Sequence, residues 1–251
     1  MLSKFMDLLH SKQSLASEGF FVAEGKIIFE RLLSSRVNIS TVLCVDSLKA
    51  EMELVADSRW PVYSMPASEI SSIAGFPFHR GVLTLGERPV QAELEHFLDS
   101  LPAEAILVAC PAVTDEANLG SLIRNASALG ASGVFLGSRS ADPYSRRVIR
   151  TSMGNVFHLP LFFMDDEGTY AQIFKNKGFR VTGAALSLDS VDLNKYIRAP
   201  REVLVFGHES EGLPREWLER CDALVRIPMQ NGTDSLNVMV SAGILLYALM
   251  A

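Results

Sequence analysis

The chain has 251 residues, of which 48% are hydrophobic and 21% charged, with a net charge of −6; this composition is ordinary for a globular protein, so disorder is not the default, and the length leaves room for one large domain or two modest ones. Its cysteines, Cys44, Cys110 and Cys221, lie far apart in apolar surroundings, which excludes a disulfide framework or a cysteine-based zinc cluster and points to a reducing, cytoplasmic setting. Residues 1–99 carry 9 basic against 13 acidic side chains and residues 100–251 carry 14 against 16, so a polyanion cannot be held by the overall field and any such attraction is local.

Residues 1–10 (MLSKFMDLLH) lack the long apolar core and cleavage site of a signal peptide. Residues 18–85 read as a small α/β unit. A short strand leads into an amphipathic helix within 18–33, where Ile27, Ile28, Arg31 and Leu32 sample both faces. A strand at 39–45, a helix at 47–57, a strand at 61–65 and a loop through 75–81 complete an alternation that implies layers. Residues 86–90 (GERPV) read as a linker before a short helix at 91–101.

From Ala105 the alternation becomes regular: strand 105–110, helix 119–129, strand 133–136, helix near 144–151, strand 156–161, helix 167–177, strands 180–185, 203–206 and 223–227, and helix 236–250. This spacing predicts an α/β fold with a mainly parallel sheet flanked by helices. Asn118 is placed to cap a helix beginning at Leu119, and Gly130 to stop it. The last helix, apolar nearly all round through Val238, Val240, Ile244, Leu245, Tyr247 and Leu249, is too short to span a bilayer and suits burial in a core plus a subunit contact. No Gly-x-Gly-x-x-Gly follows the first strand, which weighs against a dinucleotide-binding oxidoreductase.

Two segments fit no ordinary turn: 203–214 (VLVFGHESEGLP) and 227–238 (IPMQNGTDSLNV). Each begins as an apolar strand and turns at once polar and glycine-rich, which places backbone groups at the carboxyl edge of a sheet, where α/β folds bind small ligands. Asn118-x-Gly120-x-x-x-Arg124, Gly207-x-Glu209-x-x-Gly212 and Ile227-Pro228-Met229 with Ser235-Leu236-Asn237-Val238 occur in this order. Together they closely resemble the three motifs of the SpoU (TrmH-like) RNA ribose methyltransferases of the SPOUT superfamily, over residues 104–251. His208 departs from the pattern, which has Asn most often there. A weaker likeness, carried by residues 21–25 (FVAEG) and 79–83 (HRGVL), is to the small ribosomal-protein-like α/β domain ahead of many such enzymes.

The resemblance implies an RNA substrate-binding domain over residues 1–90 and an S-adenosylmethionine-binding catalytic domain over 104–251 that ends in a deep trefoil knot. It further implies a homodimer and methyl transfer to a ribose 2′-hydroxyl of structured RNA, ribosomal RNA ahead of transfer RNA. Arg124 falls in the catalytic position, either as base or as a cation that holds a phosphate and stabilises the oxyanion. Asn118 is placed to orient Arg124 or a substrate group, Glu209 to hold Arg124, Asn118 or backbone amides, and Ser235 and Asn237 offer a hydroxyl and an amide on the substrate side. Gly207, Gly212, Ile227, Pro228, Met229 and Leu236 line the cofactor pocket.

Between Ser138 and His158, Arg139, Arg146, Arg147 and Arg150 stand against Asp142 alone. Four guanidiniums in one short stretch could grip phosphates, since each offers paired planar donors, and Arg146, Arg147 and Arg150, with Arg124, are the candidates to bind RNA. None of the 5 histidines clusters at ligand spacing, so no metal is implied. A second reading keeps the scaffold without catalysis, as an RNA-binding assembly factor, and the intact Asn118, Arg124, Glu209, Ser235 and Asn237 speak against it.

Overall fold

The computed structural model describes residues 17–74 and 78–250; the expectations for residues 1–10, and for 75–77 within the loop 75–81, lie outside the described residues. Two units emerge from the packing: the described residues up to Val90 together with Tyr144–His158, and Gln91–Pro143 together with Leu159 onward.

In the first unit β1 (Phe20–Glu24), β2 (Ile39–Val45), β3 (Val62–Met65) and β4 (Val82–Glu87) form one sheet in the order β1-β4-β2-β3, antiparallel except for β2 beside β3. Strand periodicity of two explains its layers. Val42 and Cys44 of β2 face Phe29 of α1 (Lys26–Leu33) and Met52 of α2 (Lys49–Ala56), while Leu43 between them faces Ile70 of α3 (Ala67–Ala74). The expected helix 47–57 thus begins only at Lys49, after a single 3-10 turn at Asp46–Leu48.

Residues 86–90 are not all linker, because β4 continues through Glu87. Gly86 lies opposite Phe21 in the antiparallel register, and a Cβ on it would fall 2.3 Å from the Phe21 ring. The glycine is there to admit an aromatic ring laid across the strand. Phe21 in turn stacks on Tyr144 and Phe157, with centroids 5.7 and 5.2 Å apart. The expected strand at 156–161 is absent: Met153 and Gly154 take positive φ and close α4 (Arg146–Thr151), and a 3-10 turn at Asn155–Phe157 follows. That turn buries Val156 and Phe157, which an extended chain would splay to opposite sides.

In the second unit seven parallel strands lie in the order β7-β6-β5-β10-β8-β11-β9: β5 (Ala105–Cys110), β6 (Gly133–Gly137), β7 (Leu161–Met164), β8 (Arg180–Ala184), β9 (Val191–Asp192), β10 (Arg201–Val205) and β11 (Ala223–Arg226). All-parallel pairing requires both faces covered, and α5 (Leu94–Ser100), α6 (Glu116–Ala128), α7 (Glu167–Asn176), α8 (Arg215–Arg220) and α9 (Val238–Met250) supply the helices. Phe135 of β6 is fully buried, stacked on Phe162 and edge-on to Phe174, each with centroids 4.8 Å away. At the amino end of β10 the wholly buried Glu202 accepts from Arg180 at 3.0 Å, from the Ala199 amide at 2.6 Å and from the Tyr196 hydroxyl.

Two helix starts differ from expectation. Asp115, not Asn118, caps α6: its carboxylate accepts from the amides of Ala117 and Asn118, both at 2.8 Å, so the helix begins three residues earlier and the Asn118 side chain is released for other bonds. The last helix starts at Val238, where Asn237 Oδ1 accepts from the Met239 amide at 2.8 Å. Against α6, α9 packs closely enough for Asn125 to donate to the Met239 carbonyl at 2.9 Å.

Phe135→Ala should destabilise the protein by about 3–5 kcal/mol, the usual cost of a buried aromatic truncation, read as a lower urea midpoint at unchanged m-value.

Candidate active site

Because β10, β8 and β11 are adjacent and parallel, their carboxyl ends open on the same edge, and the loops that leave them enclose a pocket of about 420 Å³. That volume suits a nucleoside-sized ligand. The loop after β10 contributes Phe206–Leu213, the loop after β8 Ala185–Ser187, and the segment after β11 Ile227, Met229, Asp234, Ser235 and Leu236. Leu245, a buried residue of α9, adds to the walls.

The loop after β10 is pinched shut. His208 and Gly212 exchange backbone hydrogen bonds of 2.8 and 2.9 Å, and a Cβ at position 207 would fall 2.2 Å from the Gly212 carbonyl oxygen. Only glycine fits at 207. Gly212 itself has φ of 71° with open space where a side chain would stand, so it supplies the left-handed turn and bares its backbone to the pocket.

Glu209 is the hub of the polar groups. Its Oε1 accepts from Asn118 Nδ2 at 3.0 Å and from the Asp115 amide at 3.4 Å, and its Oε2 accepts from the Thr114 hydroxyl at 3.4 Å. The chain of amides continues, since Asn237 Nδ2 donates to Asn118 Oδ1 at 3.0 Å. Burial by itself pushes the Glu209 carboxyl up, but the Asn118 amide and the backbone amides of Glu209 and Asp115 outweigh it and hold the group below the usual carboxylate range.

Of the expected cofactor residues, Gly207, Gly212, Ile227, Met229 and Leu236 line the pocket, together with Glu209 and Ser235, whereas Pro228 does not. Asn118 and Asn237 stand outside its lining but are tied to it through Glu209. Arg124 is exposed on α6, does not line the pocket, and makes no hydrogen bond or ion pair with any described residue. The structure therefore joins four of the five catalytic candidates to one pocket and leaves Arg124 apart from it.

The arginine stretch is also divided. Arg139 pairs with Glu211 at 3.4 Å in the second unit, while Arg146, Arg147 and Arg150 belong to the first unit. Arg146 is occupied by Glu24 at 3.1 Å, whose side chain is only 13% exposed, and Arg147 and Arg150 are exposed.

Sequence reading missed the loop 185–187. The signal was present: β8 also ends in an apolar run that turns polar (GAALSLDS, residues 183–190). Only the strand order, which sets β8 between β10 and β11, gives that ending its place in the pocket.

Residues 105–247 match the sequence profile of the SpoU rRNA Methylase family. The chain is 33% identical over 230 residues to an uncharacterized tRNA/rRNA methyltransferase of Mycobacterium tuberculosis, covering 90% of this chain and 79% of that one. It is 28% identical over 243 residues to the 23S rRNA (guanosine(2553)-2′-O)-methyltransferase RlmP of Bacillus subtilis, covering 96% and 92%. The crystal structure of an AdoMet-bound rRNA methyltransferase from Sinorhizobium meliloti superposes with a TM-score of 0.85 at 28% identity, covering 98% of this chain and 93% of that one.

A depressed carboxyl pKa contributes stability that is present above the unfolded value of about 4.3 and is lost as pH falls through the lower folded one. Asn118→Ala removes the donor that most offsets burial at Glu209, so the carboxyl should titrate at higher pH than in the parent. A carboxyl-carbon NMR titration in which Glu209 does not move would contradict this.

Proposed function

Because this chain belongs to the SpoU rRNA Methylase family, we propose that it transfers a methyl group from S-adenosylmethionine to a ribose 2′-hydroxyl of structured RNA, ribosomal RNA ahead of transfer RNA. The observation that carries the reading is the pocket at the ends of β10, β8 and β11, with the Glu209, Asn118 and Asn237 chain fastened to its wall. The pocket fits the methyl donor chemically. Phe206, Val225, Ile227 and Leu245 offer apolar surface to a purine face, and the bared backbone around Gly212 offers donors and acceptors to polar edges.

When bound, the sulfonium supplies an electrophilic methyl carbon, which the ribose oxygen attacks in line as the carbon–sulfur bond breaks. The hydroxyl must lose its proton, to solvent water, as the new bond forms, so the protein's task is to position it and stabilise the negative charge that develops. Guanidinium groups stay protonated in proteins, and Arg124 is exposed; we assign it the cationic role, holding the adjacent phosphate and the nascent oxyanion. Asn118 and Glu209 fix each other at the start of the same helix, and Ser235, exposed on the pocket wall, is the hydroxyl assigned to the substrate side.

The first unit is proposed as the RNA-binding domain and the second as the catalytic one. Exposed Arg147 and Arg150 on α4 support phosphate contacts there, and Arg31 extends the basic surface, since its side chain lies 3.0 Å from where a Cβ at Gly154 would be. A homodimer is supported by the outward face of α9, where Val240, Ile244 and Tyr247 are 41, 37 and 70% exposed. The insertion of β10 between β5 and β8 supports a chain threaded as a trefoil knot. Free Cys44, Cys110 and Cys221 support a reducing, cytoplasmic setting.

Labelled methyl transfer to bulk RNA, followed by nuclease mapping of the alkali-resistant ribose, tests the activity. Transfer to a base instead of a ribose, or cofactor binding without any transfer, would overturn it. Arg124→Ala should lower kcat by about 10²–10³-fold or more, the scale for removing a charge-stabilising donor, while calorimetry finds cofactor affinity little changed, because Arg124 does not line the pocket.

Replacing Arg147 or Arg150 by Ala should lower the slope of log affinity against log salt by about 1 each, measured by filter binding to an RNA fragment. Arg146→Ala should instead lower stability, because it strips the well-buried Glu24 of its nearest cation.

A further inference from the structure

The loop after β10 is held from inside by an imidazole. His208 Nδ1 lies 3.2 Å from the Ser210 amide, 3.3 Å from the Glu211 amide and 3.1 Å from the Ser210 hydroxyl. A backbone amide can only donate, so two amides converging on one ring nitrogen require that nitrogen to carry its lone pair and the proton to sit on Nε2. The ring is therefore neutral in this arrangement. The same geometry is made by an Asn or Asp side chain that accepts from amides two and three residues ahead.

The bonds close a circuit that matters to the pocket. Ser210 and Glu211 form the tip between the His208 and Gly212 rungs, and residues 207–212 all line the cavity. Without the ring acceptor the tip amides lose their partner, and the loop keeps only the two rungs. Glu209, which anchors Asn118, is carried on the same loop.

We propose that His208 is a positioning residue for cofactor binding: its neutral ring sets the loop, and uptake of a proton releases it and weakens the methyl donor's hold. The proposal rests on the reading of this pocket as the cofactor site. Protonation would turn Nδ1 into a donor facing two amides. It would also charge the ring 3.9 Å, through Nε2, from Glu209 Oε2, drawing on a carboxylate that Asn118 and the Asp115 amide already share. Of the other charged groups around the loop and pocket, Glu211 pairs with Arg139 at 3.4 Å, Asp115 accepts from the first amides of α6, Arg226 pairs with Asp192 at 2.6 Å, and Asp234 lines the same pocket.

The test compares S-adenosylmethionine dissociation constants by calorimetry at pH 7.5 and 5.5 for the parent, His208→Asn and His208→Ala. If only the neutral ring sets the loop, the parent's Kd should be about 10-fold higher at pH 5.5 than at pH 7.5. His208→Asn keeps an acceptor that does not titrate, so its ratio should stay near one, and His208→Ala should bind about 10-fold more weakly than His208→Asn at pH 7.5. Parallel pH profiles for the parent and His208→Asn, or equal affinity of His208→Ala and His208→Asn at pH 7.5, would overturn the proposal.

Amide exchange at Ser210 and Glu211 in the protein without cofactor separates the two ideas. Protection in the parent and His208→Asn but not in His208→Ala upholds the role of the ring even if no variant binds the methyl donor, in which case the cofactor reading alone falls. Equal protection in all three refutes the role of the ring whatever the binding data.

Discussion

The bond between Asn118 and Glu209 is the one on which the site depends. Asn118 sits in the first turn of α6, Glu209 in the loop after β10, and Asn237 at the cap of α9, so the two amide bonds of 3.0 Å pin three distant stretches of chain to one place. Each partner also has local work: Asn237 starts α9, and the amide beside Asn118's own cap, that of Asp115, leans on the same carboxylate. Such a chain is satisfied at every link, which is the condition under which a polar network rigidifies instead of destabilising.

The two carboxylates at the ends of β10 show how partners decide what a charge does. Glu202 is wholly buried and is matched with a guanidinium, a phenol and an amide, which seals it as structure, because a carboxylate taken out of water must be paired. Glu209 keeps a side chain 23% exposed and is held chiefly by neutral donors. Its charge is steadied without being cancelled. A negative group left in that state on the wall of a pocket suits a cationic ligand, and this fits a sulfonium better than a phosphate.

Much of the second unit was legible in sequence because parallel strands buried on both faces leave unbroken apolar runs, as in Ala105–Cys110 and Val203–Phe206. The glycine edges were legible for a steric reason, since nothing larger than glycine fits at 207. What escaped was set by tertiary contact. Asn118 has the chemistry of a cap, and only the proximity of Glu209 shows that it is spent elsewhere while Asp115 caps. Val156 and Phe157 have the look of a strand, but they lie in a 3-10 turn that follows the positive φ of Met153 and Gly154 and stacks Phe157 on the ring of Phe21. The arginines were grouped by neighbourhood in sequence, but their segment packs with the first unit. His208 was noticed as a departure without its use being visible, because the amides it gathers are those of its own loop, and no pattern of side chains records them.

The membership of Tyr144–His158 bears on how this protein can be divided. The first unit is discontinuous: the chain completes most of it by Val90, builds two strands of the other sheet, and only then delivers the segment whose Tyr144 and Phe157 flank Phe21. A fragment ending at Val90 would leave that phenylalanine without its two stacking partners and Glu24 without Arg146. Domain exchange between relatives therefore needs two grafts, not one, and ribosomal synthesis cannot finish the first unit until more than half of the polypeptide has emerged.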